Sequence, residues 1–419
     1  MRVAVVGGGV VGLCVAEALA HRDAEVTVLE AGRCGAGASA GNAGWITPGL
    51  SNPLPAPGTV PQAIRWMFNP RSPLLVRPVP RGSYLRWLFD FWRASQPRPY
   101  SAGLAAMVAL TQRVGADFDA LRSRASFEMH RDGLLFVGRS QRVLDAELRV
   151  LRDHQVFGYD GGFEVLDRER ALVHEPALDP EIAGAIFAPG EGHVRPESLT
   201  TALVERLGAA GAEILEQTCV SRIVPSRGAW SVRGGGEEVV ADRVVIASGA
   251  STASLLRPLG VRLPLEGAKG YSITVDDPPL SLRGPVYLLD AKVGVSPYAG
   301  ALRLAGTLEL GSRGPGLSRG RILAIQRAGE RGLRGWPADA KTHHWAGFRP
   351  LLPDGMPAIG PVPGHDGLFV ATGHSMLGIT LAPTTAEVLA PVVLEGGPAL
   401  ELAPFSVARF GNRGGPGGA

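Results

Sequence analysis

Gly7, Gly9 and Gly12 stand in the spacing G-x-G-x-x-G, and Glu30 follows 18 positions after Gly12. Glycines so spaced allow a tight turn, close approach of backbone to a pyrophosphate, and close packing of a helix on a strand, while the carboxylate can accept hydrogen bonds from a ribose diol. The chemistry implied is dinucleotide binding. The surrounding pattern supplies the elements that such glycines need. Arg2 to Val6 is a short β-branched run, a helical stretch runs to about His21, and Glu25 to Leu29 is a second strand, which completes a βαβ unit. Val10 and Val11 then open the helix, where free N–H groups and the positive end of the dipole face the phosphates. After Glu30 the chain turns to small residues from Ala31 to Gly44. This is a loop suited to close backbone approach, with Ser39 and Asn42 as its hydrogen-bonding groups and Ala43 and Gly44 at its end.

Other chemistries are not expected. Cys14, Cys34 and Cys219 are scattered without a CxxC pair, which argues against a metal site or disulfide framework and fits a reducing cytoplasm. His343 and His344 are adjacent, so on an extended segment they point to opposite faces, and no carboxylate or cysteine partner is evident. The net charge is +3. Only Lys269, Lys292 and Lys341 are lysines, so 42 − 3 = 39 basic residues are arginine, and none forms a block of the kind that binds nucleic acid. Val3 to Ala20 is apolar and follows an arginine, but its glycine spacing marks it as the βαβ unit rather than a signal peptide. No uninterrupted apolar run of about 18 residues follows, so no spanning helix is expected.

At 419 residues the chain exceeds one ordinary core, by the usual roughly 100–200 residues per domain. Pro61 to Pro99 interleaves aromatic residues with arginines, as in Ile64-Arg65-Trp66-Met67-Phe68 and Tyr84 to Trp92. That suits helices with one apolar and one basic face. Two readings stay open: helices packed on the core, or peripheral contact with a membrane, from its cytoplasmic side, or with a quinone-reducing partner. Ser101 to Arg124 continues a helical pattern, Gly133 to Val137 reads as a strand, Glu197 to Ala210 as a helix, and Asp242 to Ala250 as a buried strand ending at Gly249. Short strands such as Tyr271 to Val275 and Leu302 to Thr307 suggest an antiparallel sheet. Gly411 begins a tail over 411–419 that reads as flexible.

The loop from Glu30 through Ser39 to Gly44, Thr47-Pro48, the proline run 53–58 and the tryptophan-rich stretch 64–92 resemble the D-amino-acid oxidase superfamily of FAD enzymes, in particular its bacterial D-amino-acid dehydrogenase (small subunit) branch. Residues 345–350, 353–360 and 373–380 are similar to the family's segments that return to the flavin. The resemblance implies an α/β fold in which a Rossmann-type FAD-binding domain (1–60, 192–260 and 343–400) is interleaved with an α+β substrate domain built on an antiparallel sheet (61–191 and 261–342). It implies that FAD is held by Gly7, Gly9, Val10, Val11, Gly12, Glu30, Ala31, Ser39, Asn42, Ala43, Gly44, Val220, Gly249, Arg349, Gly373, Leu377, Gly378, Ile379 and Thr380. The main-chain N–H groups of residues 378–380 would stabilise negative charge on the flavin.

For the substrate, the resemblance points to a small amino acid: a D-amino acid, glycine or a cyclic imino acid. Arg349 would grip its carboxylate through the planar guanidinium fork. Tyr271 or Tyr298 would add a second hydrogen bond, although the family's oxidase-like members often carry arginine where Tyr298 stands. His374 would tune the flavin or the amine. Hydride would pass to flavin N5, the imine would hydrolyse to an oxo acid and ammonia, and the electrons would leave to a quinone or to oxygen. An oxygen-using oxidase of the glycine or sarcosine type, and a noncatalytic FAD-binding subunit of a larger dehydrogenase, remain as rivals.

Overall fold

Residues 1–67, 72–312, 314–336, 340–396 and 400–411 are described by the computed structural model. The β-branched run Arg2–Val6 is buried from Val3 onward and becomes an inner strand of a six-stranded sheet. Across that sheet the order is Glu213–Leu215, Glu25–Leu29, Arg2–Val6, Arg243–Ile246, Leu368–Thr372 and Ala358–Pro361. Pairing is parallel except for the last strand. Alternation of side chains divides the strand between two cores. Val3 and Val5 face a helical layer with Leu13, Leu203 and Leu389, whereas Ala4 and Val6 face Ile223, Trp230 and Val232 of a three-stranded antiparallel sheet. A parallel strand apolar on both faces requires cover on both sides.

The helical layer contains Val10–Ala20, Pro196–Ala209 and Gly378–Glu395. It also contains Pro97–Thr111 and Val114–Arg124, whose Met107, Leu110, Val114, Phe118 and Leu121 join the same core. These two helices fall within the span 61–191 expected for the substrate domain. Their apolar faces bury against the dinucleotide domain instead, and each such side chain contributes about 1.5–3 kcal/mol when fully buried.

The second unit is a nine-stranded sheet among the described residues. Its path runs Thr342–Leu351, Glu266–Asp276, Ala301–Leu310, Val293–Tyr298, Val286–Leu288, Leu134–Gly138, Gly184–Ala188 and Glu164–Asp167, with Leu74–Val76 paired to the outside of Ala301–Leu310. Most pairs are antiparallel; Val286–Leu288 with Leu134–Gly138 and Leu74–Val76 with Ala301–Leu310 are parallel. Thr342–Leu351 pairs along its whole length with Glu266–Asp276, Ala268 opposite Arg349 and Gly270 opposite Gly347. The span 343–351 therefore belongs to this sheet and not, as expected, to the dinucleotide domain. The chain crosses back only at Ala358–Pro361.

The aromatic–arginine stretch forms two helices, Thr59–Met67 and Gly82–Ala94. On the second, Tyr84, Trp87 and Phe91 are buried with Ala268, Leu310 and Leu351, while Leu85, Phe89 and Trp92 are exposed, as is Ile64 on the first. One face packs on the core and the other stays apolar and open. Among the described residues no helix is long and apolar enough to cross a membrane. Of the tail expected over 411–419, residues 412–419 lie outside the described residues.

Candidate functional site

A cavity of about 1620 Å³ runs from the first βαβ turn to the start of the Gly378–Glu395 helix. Small-molecule sites usually occupy roughly 300–1000 Å³, so this one has room for a dinucleotide and a further small ligand. At one end lie Gly7, Gly9, Val10 and Val11. Gly7 has φ +117°, and a Cβ there would sit 2.5 Å from the Ala247 carbonyl oxygen; a Cβ on Gly12 would sit 1.9 Å from the Gly7 oxygen. Gly12 does not line the cavity, and its role is to let the helix close on the turn. Glu30 holds the turn from the other side, Oε2 accepting from Gly8 N at 2.7 Å and Oε1 from Gly32 N at 2.8 Å. Ser39 Oγ accepts from Val10 N at 3.0 Å. Ala31, Val220 and Gly249 complete this end. The glycine cradle, the helix start at Gly9 and the acidic residue fit the adenosine and pyrophosphate of a dinucleotide.

The small-residue loop, with Asn42 and Ala43 on the cavity wall, is pinned from below by the second sheet. Arg303 Nη1 donates to the carbonyls of Ala40 at 2.9 Å and Asn42 at 3.1 Å, and both Tyr298 Oη and Ser296 Oγ donate to Ala43 O at 2.6 Å. Tyr298 is thus spent on the loop and does not reach the cavity, which corrects its expected place in a carboxylate clamp. Gly44 is also absent from the lining. Its φ is +73° and a Cβ would sit 1.9 Å from the Val194 oxygen, so its glycine serves the chain path.

At the far end, Leu377, Gly378, Ile379 and Thr380 line the cavity, at the start of an 18-residue helix whose first N–H groups have no partner within the helix. Thr380 Oγ1 donates to Trp45 O at 2.8 Å and fastens this turn to the loop. Gly373 lies behind the wall, with φ +78° and a would-be Cβ 2.5 Å from Leu352 Cδ1, so it shapes the approach instead of lining the site. His374 lines the cavity, buried, with Nε2 against Thr385 Oγ1 at 2.9 Å; burial lowers its imidazole to about 3, so it is neutral.

Arg349 projects from Thr342–Leu351 across the neighbouring strand. A Cβ on Gly270 would sit 2.0 Å from Arg349 Nη1, so the arginine lies where Gly270 has no side chain, and Nη1 reaches Thr307 O at 3.0 Å on the next strand over. It lines the cavity, and among the described residues no ion pair forms to it. Burial alone lowers its guanidinium to about 10, which leaves it charged at neutral pH. A half-buried cation without a counter-anion is partly desolvated at a cost, and a ligand carboxylate is the group that would offset that cost. Tyr271, one residue beyond Gly270, points to the opposite face of the sheet, where its hydroxyl donates to Glu309 Oε2 at 2.9 Å. It is not in the lining, so the second expected tyrosine contact is also corrected.

Several wall residues were given no role at the site by the sequence, although Trp345, Trp87 and Phe91 lie in segments it marked. Trp345 stands over Gly41, where a Cβ would sit 1.9 Å from its ring, and Trp45 stands over Gly294. Thr307 lies in the left-handed region at φ +56°, and Lys292 at φ +52°. Lys292, Glu147 and Tyr287 form one corner of the wall, while Leu74, Val76, Trp87 and Phe91 form an apolar arm leading out between the two amphipathic helices.

Comparison with known proteins agrees with this geometry. The D-amino acid dehydrogenases of Xanthobacter autotrophicus and Cereibacter sphaeroides are 32% and 33% identical to this chain, covering 98% of it and 99% and 95% of their own lengths. The crystal structure of glycine oxidase from Geobacillus kaustophilus superposes with a TM-score of 0.75 at 28% identity, covering 97% of this chain and 99% of that one. An iminodiacetate oxidase from a Chelativorans species shares the fold, with a TM-score of 0.75 at 22% identity over 97% and 98% of the two chains. The family description "FAD dependent oxidoreductase" fits residues 2–391. With the glycine cradle, Glu30 and the Gly378 helix start on one continuous wall, the chain belongs to this family of FAD-dependent oxidoreductases.

Proposed function

We propose that this protein oxidises the carbon–nitrogen bond of a small D-amino acid, releasing an imine that water hydrolyses to an oxo acid and ammonia. The observation that carries this is Arg349, a half-buried guanidinium that forms no ion pair among the described residues, on the wall that also holds the Gly378 helix start. The names of the relatives support the amine substrate and the D configuration. Bound FAD supplies a two-electron acceptor for hydride. The chain's residues do the rest. Arg349 binds the carboxylate through its fork and sets the orientation of the Cα–H. The N–H groups of residues 378–380 offer positive potential at the flavin end, and apolar walls favour the uncharged amine. His374, held neutral by burial, keeps a second positive charge away from that amine.

For the electron acceptor we favour a quinone over oxygen, with peripheral attachment at the cytoplasmic face of a membrane. Support comes from the apolar arm, which reaches the surface beside exposed Ile64, Leu85, Phe89 and Trp92, with exposed Arg65, Arg86 and Arg93 on the same two helices. Anaerobic mixing of the FAD-loaded protein with D-alanine, D-glutamate, D-norleucine, glycine and D-proline tests the first claim: at least one should bleach the flavin absorbance. If none does, the reading is wrong. A water-soluble quinone and oxygen, offered separately to the reduced protein, test the second, with faster reoxidation expected by the quinone and little peroxide in air.

A further inference from the structure

Besides Arg349, and Arg77 with its partner Glu309, the cavity wall carries Lys292, a cation whose position the proposed reaction leaves unexplained. Lys292 sits in the turn between Val286–Leu288 and Val293–Tyr298, and Val293 pairs with Gly306. One step further along that register brings the Lys292 backbone beside Thr307, about 5 Å away by ordinary strand spacing. A Cβ on Gly306 would indeed sit 3.2 Å from Lys292 O. Thr307 is the residue whose carbonyl receives Arg349. Arg349 rises from Thr342–Leu351, two strands further off, but its guanidinium crosses to Thr307, so the head of one cation and the backbone of the other flank the same residue.

The side chain of Lys292 is held toward Glu147, Nζ to Oε2 at 3.3 Å, with Nζ 5.3 Å from the centre of the Tyr287 ring. Glu147 is nearly closed off at 8% side-chain exposure, whereas Lys292 keeps 37% and lines the cavity. An ammonium has three donors, and Glu147 engages one of them. The left-handed backbone at Lys292 is strained for a residue with a Cβ, and such strain persists where surrounding structure or function demands the side chain. A turn built for packing alone would favour glycine or asparagine there.

We propose that Lys292, positioned by Glu147, receives a second carboxylate at the far end of the substrate's side chain, so that the enzyme prefers acidic D-amino acids over apolar ones of equal length. This rests on the amino-acid-oxidising reading above and adds the substrate class to it. Arg349 takes the α-carboxylate, and Lys292 takes the terminal one. The chemistry at the Cα–N bond is unchanged by this assignment.

The test compares kcat/KM for D-glutamate and D-norleucine with an artificial acceptor. The wild type should favour D-glutamate by about 10-fold or more, the worth of one charge-assisted hydrogen bond. Lys292→Met should reduce that ratio by about 10-fold or more, and Glu147→Gln, which frees the ammonium, should raise it. The wild type alone gives an independent measure: glutarate should displace substrate at lower concentration than pentanoate. A wild type that favours D-norleucine, a ratio unmoved by Lys292→Met, or equal inhibition by the two acids overturns the proposal. If D-norleucine reduces the flavin but no acidic preference appears, only this inference fails; if no amino acid reduces it, the underlying reading fails.

Discussion

Arg349 depends on an absence. Gly270 leaves the space that its guanidinium crosses, and even the single methyl group of Gly270→Ala would sit 2.0 Å from Nη1. We expect Gly270→Ala to behave like a loss of Arg349, raising KM for the amino acid by roughly 100-fold while FAD remains bound, since the glycine touches no part of the dinucleotide tract. Flavin absorbance and steady-state kinetics on the same preparation check this. Arg349→Lys keeps the charge but gives up the fork, and kcat/KM should fall by roughly 10- to 100-fold, with most of the loss in KM. The residues that the sequence made legible are those whose role is local: Gly7, Gly9, Gly12 and Glu30 act within one turn and its strand. Tyr271 was misplaced because a strand alternates faces and nothing in the sequence tells which of Gly270 and Tyr271 faces the cavity. Tyr298 was misplaced because its partner, Ala43, is distant in sequence and is brought close only by the crossing of the two sheets.

Among the elements, the segment around Pro48–Leu50 is clipped to the rest by Glu191, which accepts from Gly49 N at 2.9 Å and Tyr159 Oη at 2.5 Å. Burial pushes the Glu191 carboxyl up to about 7 from 4.5. Its folded-state pKa is above its unfolded one, so folding favours the protonated form. Stability from this group is complete below about 4.5, is lost as pH rises to about 7, and changes no further above that. Tm should decline across that window by the equivalent of roughly 3 kcal/mol, and Glu191→Gln should flatten the decline. A pH series of thermal melts on both proteins measures it. On the Gly82–Ala94 helix, replacing exposed Leu85, Phe89 and Trp92 together by serine should leave Tm within a few degrees and reduce co-sedimentation with anionic vesicles several-fold. Equal co-sedimentation would remove the support for membrane contact. Helix periodicity revealed these helices, but it could not show that one face of Gly82–Ala94 is buried against Leu351 and the other open, because Leu351 arrives from the far end of the chain. The same limit applied to Pro97–Thr111 and Val114–Arg124, whose apolar stripes do not say which domain they cover.

Among the described residues the two largest sheets share one cavity, whose wall carries the groups that would hold FAD. Removing FAD should therefore lower Tm, and adding it back at about 100 times Kd should restore roughly 2.7 kcal/mol of stability, read as a concentration-dependent rise in Tm. The sequence's domain limits failed at 343–351, where a strand that looked continuous with the dinucleotide domain pairs instead with Glu266–Asp276. That strand has a mechanical consequence. It carries Arg349, its Pro350 carbonyl accepts from Ser375 N at 3.0 Å, and Leu351 bridges His374, so the anchor is stitched to the loop that leads into the Gly378 helix. The distance between the grip on the substrate and the Gly378 turn is thus fixed by direct backbone bonds, like a jaw pinned to its anvil. Because the strand belongs to one sheet and the helix packs on the other, the same pins hold the two sheets together at the reaction end of the cavity.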